Sequence, residues 1–268
     1  MNKLRQLKDL LQTLPGAVIA YSGGVDSTFL AVVAHEVLGE RSLAVTAVSP
    51  TYPQSQLAEA KDLAERFGLK LQIIQTNEFD DPDFLANSAD RCYYCKTALF
   101  RDLKELADKK GWGVVLDGAN ADDLADYRPG HRAARELGVR SPLQEVGLTK
   151  QEIRDLSKEM SLPTWNKPAY ACLASRIPYG SQITVEALKR IDLAESFLRS
   201  LGLVQFRVRD HFPVARIEVG NSEIETAWSN RGEISKKLHQ LGFNYVTLDL
   251  DGFRSGSMNE VLAIDRNL

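Results

Sequence analysis

The feature that most constrains this chain is a glycine turn at residues 22–27, Ser-Gly-Gly-Val-Asp-Ser. It follows a short apolar run, residues 16–21, that is typical of a buried strand in a parallel sheet. It precedes an apolar stretch, residues 28–38, that fits a helix packed on that sheet. Because a strand-to-helix turn offers backbone N–H groups and the positive end of a helix dipole, this turn predicts a phosphate site.

Each residue type in the turn suits an anion. Gly23 and Gly24 let the backbone approach phosphate oxygens, Ser22 and Ser27 add hydroxyl donors, and Asp26 is a candidate ligand for the Mg²⁺ that accompanies ATP. Neither a Walker A string nor G-x-G-x-x-G follows the strand. The alternative is a tight turn whose glycines merely ease packing.

Alternating strand and helix patterns continue from this turn. Strands are predicted at 42–48, 70–75 and 113–117, and helices at 55–67 and 97–109. This order predicts an α/β fold with an open, doubly wound parallel sheet of the Rossmann-like kind, with ligands at the carboxyl ends of its strands.

The second part of the chain has a different order of elements. Thr149 and Glu152 have the spacing of a capping box, and residues 163–168 have the composition of a connection. We therefore predict two domains, 1–165 and 166–268. The predicted elements of the second are helices at 184–201 and 222–241 and strands at 204–209, 214–219 and 245–250. That order predicts a smaller α+β domain.

Composition narrows the class of protein. The 268 residues are 44% hydrophobic and 26% charged, which is ordinary for a globular protein, and no apolar run nears the roughly 20 residues that span a bilayer. We expect a cytoplasmic protein. The net charge of −3 gives no general attraction to nucleic acid. Three cysteines, an odd number, argue against a disulfide framework and leave metal binding, catalysis or burial.

Residues 22–27 resemble the PP-loop, S-G-G-x-D-S, of the adenine nucleotide alpha hydrolases. That superfamily splits ATP between its α and β phosphates, usually giving pyrophosphate and an adenylated substrate. The resemblance implies ATP and Mg²⁺ as cofactors and residues 1–165 as the ATP-binding domain. It leaves the substrate open.

Three further strings resemble the LarE family of sulfur transferases. They are residues 117–130 (DGANADDLADYRPG), 165–180 (WNKPAYACLASRIPYG) and 249–259 (DLDGFRSGSMN). The resemblance spans nearly the whole chain. It implies that ATP adenylates the carboxylates of pyridinium-3,5-biscarboxylic acid mononucleotide and that sulfur then gives the bisthiocarboxylate, a step of nickel-pincer nucleotide biosynthesis. Residues 166–268 would bind the substrate and transfer sulfur.

Cys172 is the first candidate for the sulfur-bearing residue. It opens the second domain beside Lys167 and Arg176, whose charges favour a thiolate. A small buried core residue is the alternative.

Cys92 and Cys95 form a C-x-x-C pair, and with Cys172 they offer three thiolates to one metal. LarE members with one cysteine are thought to sacrifice its sulfur. The three-cysteine members resemble carriers of a [4Fe-4S] cluster whose unique iron binds an extra sulfide. The alternatives are a zinc site, which would require a fourth protein ligand, and a redox dithiol. The resemblance also offers Glu195 as a metal ligand, with an exposed surface position as its alternative.

Several arginines are candidates for holding a substrate phosphate. Arg207 and Arg209 share one face of a predicted strand, Arg216 lies on the next strand, and Arg254 lies in the last string. Arg176 is the further candidate. A solvated basic face is the alternative explanation.

The end of the strand at 113–117 carries further candidates for the ATP pocket. Asp117 and Gly118 are predicted to bind ATP, and Asp122, Asp126 and Arg128 to shape the pocket for ATP and substrate. The expected partners are a small nucleotide and a source of sulfide, with no membrane and no nucleic acid. We also expect a homo-oligomer. A tRNA thiolation enzyme, an ammonia-using amide ligase and a non-catalytic ATP sensor remain rival functions.

Overall fold

A computed structural model describes residues 2–125, 129–168, 171–254 and 256–260, and contacts divide them into two compact units. The second unit contains the described residues from Ala171 onward and two short segments, Pro50–Gln54 and Leu85–Ala89; the first contains the rest. The predicted single boundary between residues 165 and 166 does not include those two segments in the second domain. Only tertiary contacts can assign a short loop to a unit that is remote in sequence. The separate roles of the two domains stay a prediction.

The first unit is built on a parallel sheet. Its strands are β1 (Ala17–Ala20), β2 (Ser42–Val48), β3 (Leu71–Gln75) and β4 (Val115–Leu116). Its helices are α1 (Lys3–Gln12), α2 (Val25–Leu38), α3 (Gln54–Arg66), α4 (Pro82–Leu85), α5 (Arg91–Lys109), α6 (Pro129–Glu136), α7 (Pro142–Glu145) and α8 (Lys150–Glu159). The strand order is β3-β2-β1-β4, so β1, which leads into the glycine turn, is central.

Both faces of this sheet are covered by helices. Ile19 of β1 belongs to an apolar cluster with Leu7 of α1 and Phe29 of α2, whereas Val18 belongs to a second cluster with Leu103 of α5. Successive strand residues point to opposite faces, so a continuous apolar strand requires a layer on each side. The predicted doubly wound α/β fold is confirmed.

α5 begins at Arg91, six residues before its predicted start at residue 97. Cysteine and tyrosine are weak helix formers, so the sequence pattern misses its first turns. Tertiary contacts with α6 hold them: the Tyr93 hydroxyl donates to Glu136 Oε2 at 2.6 Å, and the Arg132 guanidinium carbon lies 3.9 Å from the centre of the Tyr93 ring. Cys92 and Cys95 therefore lie within a helix.

The second unit is a smaller α+β unit. Its elements are α9 (Val185–Ser200), β5 (Phe206–His211), β6 (Val214–Val219), α10 (Ile224–Ser229), α11 (Arg231–Gln240) and β7 (Tyr245–Leu248). β5 pairs antiparallel with β6, and β6 pairs parallel with β7. The helix predicted at 222–241 is two helices, separated at Asn230.

None of the helices in the described ranges combines the length and the apolar character needed to cross a membrane.

Gly16, just before β1, has no room for a side chain. A Cβ atom there would lie 2.6 Å from ring atoms of Trp112. Gly16→Ala is therefore expected to lower the free energy of unfolding by about 1–3 kcal/mol, the usual cost of overpacking. Urea denaturation measures it. Gly232→Ala in α11 is the control, because a Cβ there meets nothing within 4 Å. If both variants change stability alike, the tight contact is not the cause.

Candidate nucleotide site and cysteine loop

The glycine turn joins β1 to α2. Gly24 is the N-cap residue of α2, and no side chain caps the helix there. Gly23 has φ +67°, and a Cβ atom on it would lie 3.0 Å from Ala60 Cβ. Both the positive φ and the close approach require glycine at residue 23. The open N-terminus of α2 is thus presented at the carboxyl end of a central strand, where an anion binds best.

Two serines close the turn. The Ser22 and Ser27 hydroxyl oxygens are 3.0 Å apart, and Ser22 N donates to Ser27 Oγ at 3.2 Å. Ser27 Oγ in turn donates to the Gly24 carbonyl at 3.3 Å. These bonds join the two ends of the turn, so its backbone N–H groups are held in place before any ligand binds.

The loop after β4 lies against the same turn. A Cβ atom on Gly118 would lie 3.1 Å from Ser27 N, so glycine is needed for this approach. Asp117 Oδ1 accepts hydrogen bonds from Ser141 Oγ at 2.6 Å and Ala119 N at 3.2 Å. The structure therefore brings the predicted ATP residues at 117 and 118 next to the glycine turn.

A lysine that the sequence pattern did not single out pairs with Asp26. Lys150 Nζ lies 2.5 Å from Asp26 Oδ2, while Asp26 Oδ1 is buried and has no hydrogen-bond partner among the described residues. Burial raises the pKa of the Asp26 carboxyl above its usual range, and Lys150 only partly opposes this. Lys150 is the first residue of α8, so the capping box at Thr149 predicts its helix but not its partner.

Lys167 also contacts the turn. Its Nζ donates to the Gly23 carbonyl at 2.9 Å and lies 2.8 Å from Glu59 Oε2. Arg154 fixes the segment by donating to the carbonyls of Trp165 at 2.7 Å and Lys167 at 2.9 Å. In the sequence Lys167 lies near a cysteine, whereas in the structure its ammonium group contacts the glycine turn.

A cavity of about 320 Å³ opens beside Asp117. Its polar lining comes from Asp117, Asp123, His131, Arg132, Arg135, Ser141 and Gln144. Asp122, predicted to shape the pocket, instead accepts a hydrogen bond from Lys150 N at 2.8 Å. Asp126 and Arg128 lie outside the described residues.

Cys92 and Cys95 lie in the first two turns of α5, three residues apart and so on neighbouring positions of one helix face. Cys92 is exposed and Cys95 is half-buried. Cys172 belongs to the second unit. Among the described residues, no group of three His, Cys, Asp or Glu side chains is arranged to hold a metal ion. The three-cysteine ligand set stays a prediction.

Cys172 is exposed, which contradicts the alternative of a buried core residue. It is followed by a 3₁₀ helix, Leu173–Arg176, whose first residue donates its N–H to the Thr51 carbonyl at 2.9 Å. Ser175 N and Oγ both donate to the Cys172 carbonyl, at 3.0 and 2.7 Å. An accessible thiol thus lies on a well-anchored backbone.

Arg176 and Glu195, predicted as a phosphate contact and a metal ligand, are paired with each other. Arg176 Nε and Nη2 lie 2.9 and 3.0 Å from the two carboxylate oxygens of Glu195. Both side chains are buried, which contradicts the alternative of an exposed Glu195. The geometry favours a positioning role for both residues.

Two of the predicted phosphate arginines lie opposite each other on the polar face of the second sheet. Arg209 of β5 pairs in register with Arg216 of β6. Their Nη2 atoms donate to the two oxygens of buried Glu218, at 2.7 and 2.8 Å. Burial raises the pKa of Glu218, but Arg209, Ser257 and Arg216 outweigh it, so the net shift is downward. Glu218 is therefore a charged anchor for both arginines.

Arg207 and Arg254 are partly exposed, whereas Arg176 and Arg209 are buried. Arg207 Nη1 donates to the Phe206 carbonyl at 2.6 Å, and its guanidinium lies 5.0 Å from the centre of the Phe253 ring. Arg254, 41% exposed, pairs with Asp251 at 3.0 Å. Both side chains are therefore partly open to a ligand.

The fold and the serine-glycine turn define the class of protein: an α/β, ATP-utilising protein of the PP-loop type. Residues 4–85 match the family described as NAD synthase. Over 253 residues the chain is 39% identical to the pyridinium-3,5-bisthiocarboxylic acid mononucleotide synthase of Lactiplantibacillus plantarum, covering 94% of this chain and 92% of that protein. The chain belongs to the LarE family of ATP-dependent sulfur transferases.

Two other relatives are similar over most of their lengths. An uncharacterized protein of Synechocystis is 47% identical over 97% of this chain and 98% of its own. An uncharacterized protein of Methanocaldococcus jannaschii is 32% identical over 89% of this chain and 90% of its own. The similarity therefore extends through both compact units.

Proposed function

We propose that this chain is a synthase of the pyridinium-3,5-bisthiocarboxylic acid mononucleotide. ATP adenylates each carboxylate of the biscarboxylic precursor with release of pyrophosphate, and sulfur then displaces AMP. The observation that carries this proposal is the preformed turn at residues 22–27 in a chain related over nearly its whole length to a protein with that name. A carboxylate oxygen is a poor leaving group, so an activation step of this kind is required.

The turn holds the outer phosphates of ATP in this proposal. Backbone N–H groups at the start of α2 and the hydroxyls of Ser22 and Ser27 donate to phosphate oxygens, and Asp117 and Gly118 line the adjoining wall. Asp26 suits Mg²⁺, because its buried Oδ1 atom has no hydrogen-bond partner among the described residues. A Mg²⁺ ion held there would supply positive charge to offset that of the phosphates.

Cys172 presents the sulfur, since its side chain is exposed on an anchored backbone. We propose that Cys92, Cys95 and Cys172 hold a [4Fe-4S] cluster. Three thiols, two of them in a C-x-x-C pair on one helix face, suit the cluster chemically, and they would leave one iron without a protein ligand. That iron would carry the sulfide to be transferred. Glu195 is left out of this ligand set because both of its carboxylate oxygens accept from Arg176.

The substrate phosphate is assigned to Arg207 and Arg254, two partly exposed arginines of the second unit. A cytoplasmic location and a homo-oligomer stay predictions from the sequence.

The test is pyrophosphate release by anaerobically purified protein with ATP and Mg²⁺. Four arms are compared: the biscarboxylic mononucleotide with sulfide, tRNA with sulfide, the mononucleotide with ammonia, and no acceptor. Release with the mononucleotide and sulfide, with formation of the thiocarboxylate, supports the proposal. Release with tRNA alone, or an amide product, rejects it in favour of a rival function.

Iron and sulfide analysis of the same preparation tests the cluster. About four irons per chain, lost when any one of the three cysteines is replaced by alanine, supports it. Iron-free protein with full multi-turnover activity rejects it.

A further inference from the structure

One buried arginine ties down the backbone around Cys172. The Arg176 side chain is 1% exposed, and its Nη1 donates to the carbonyls of Ala171 and Cys172, at 2.7 and 3.0 Å. The same nitrogen donates to Ser175 Oγ at 2.9 Å. A single guanidinium nitrogen thus holds the main chain on both sides of the Cys172 Cα atom.

The guanidinium is itself fixed by Glu195 of α9. Nε and Nη2 of Arg176 make two parallel bonds to the carboxylate, and Glu195 Oε1 also accepts from Val208 N of β5 at 3.1 Å. A paired carboxylate and guanidinium lose little rotamer freedom when they bind a third group. The carbonyls at 171 and 172 are therefore held relative to both a helix and a strand.

We propose that Arg176 and Glu195 form a clamp that positions Cys172 for sulfur transfer, an inference that rests on the function proposed above. The clamp fixes the cysteine backbone while the thiol remains exposed. The sulfur is therefore carried on a backbone of fixed position. A role in binding phosphate or metal would require each residue to leave a buried partner. Such a loss of pairing inside the protein is costly.

The ends of this loop have anchors of their own. Leu173 N donates to the Thr51 carbonyl at 2.9 Å, and Asn87 Nδ2 donates to the carbonyls of Pro178 and Ser181, at 2.8 and 2.9 Å. Removal of the clamp therefore loosens the centre of the loop and leaves its attachment to the unit intact.

The double variant R176M/E195M tests the clamp. It replaces a buried ion pair by apolar side chains, a change that proteins often tolerate, and it deletes the bonds to the loop. We expect amide hydrogen exchange in residues 171–177 to accelerate on the order of tenfold, and kcat for sulfur transfer to fall by a similar factor. The KM for the mononucleotide is expected to change less than about twofold.

R190M/D210M is the matched control, because half-buried Arg190 and buried Asp210 form another ion pair of this unit, 2.7 Å apart. It is expected to leave exchange in residues 171–177 unchanged. If the first double variant does not fold, Arg176→Lys gives the same readouts, since lysine keeps the charge but cannot bond to the carboxylate and both carbonyls together.

Two results overturn the clamp. One is unchanged exchange in residues 171–177; the other is a raised KM with unchanged kcat, which indicates a phosphate contact instead. Wild-type protein that transfers no sulfur defeats the proposed function, while the exchange measurement still decides whether Arg176 and Glu195 order the loop.

Discussion

Cys172→Ala is expected to reduce sulfur transfer by at least about 10³-fold while pyrophosphate release persists, because a lost nucleophile or ligand removes one chemical step and spares the other. The exposed side chain predicts little loss of stability. Thiocarboxylate formation and pyrophosphate release are measured on the same sample. The two readouts separate the sulfur step from the adenylation step.

Cys92→Ala and Cys95→Ala decide how Cys172 is used. If the three thiols hold a cluster, all three variants lose multi-turnover sulfur transfer together. If Cys172 gives up its own sulfur, Cys92→Ala and Cys95→Ala retain a single turnover and only Cys172→Ala is inactive. Full activity of Cys172→Ala contradicts both mechanisms.

Asp26→Asn is expected to reduce ATP-dependent pyrophosphate release by roughly 10²-fold or more, in the range seen when one electrostatic contact of a transition state is removed. An amide is a poorer ligand for Mg²⁺ and carries no charge. Magnesium titration of ATP binding, followed by calorimetry, should show the same loss without any turnover. Asp155→Asn, an exposed carboxylate of α8, is the matched control.

The same substitution is expected to leave the stability of the ligand-free protein unchanged or higher at neutral pH. Folding raises the pKa of Asp26, mainly by burial, so its contribution to stability is present at low pH and is lost as the pH rises through the raised pKa. At pH 7 the ionised carboxylate is a cost that asparagine avoids. The Tm of Asp26→Asn is compared with that of the wild type at pH 7 and pH 4. A variant that is less stable than the wild type at pH 7 and equally stable at pH 4 contradicts this expectation.

Much of the fold follows from local patterns. The apolar runs predict β2 and β6 with their observed bounds, and the capping box at Thr149 is present. Local patterns fail where contacts between residues distant in sequence set the structure. The start of α5 lies earlier than predicted because Tyr93 packs on α6, and two short loops belong to the second unit.

The sequence by itself determined the position of the glycine turn, the alternation of strands and helices that makes a parallel sheet, and the positions of the candidate cysteines. These features depend on residue type and short-range spacing. Only the tertiary structure decided that Lys150 pairs with Asp26, that Lys167 donates to the Gly23 carbonyl, and that Arg176 pairs with Glu195. These partners are 124, 144 and 19 residues apart. The partner of a charged side chain is set by the packing of whole elements, which no local pattern encodes.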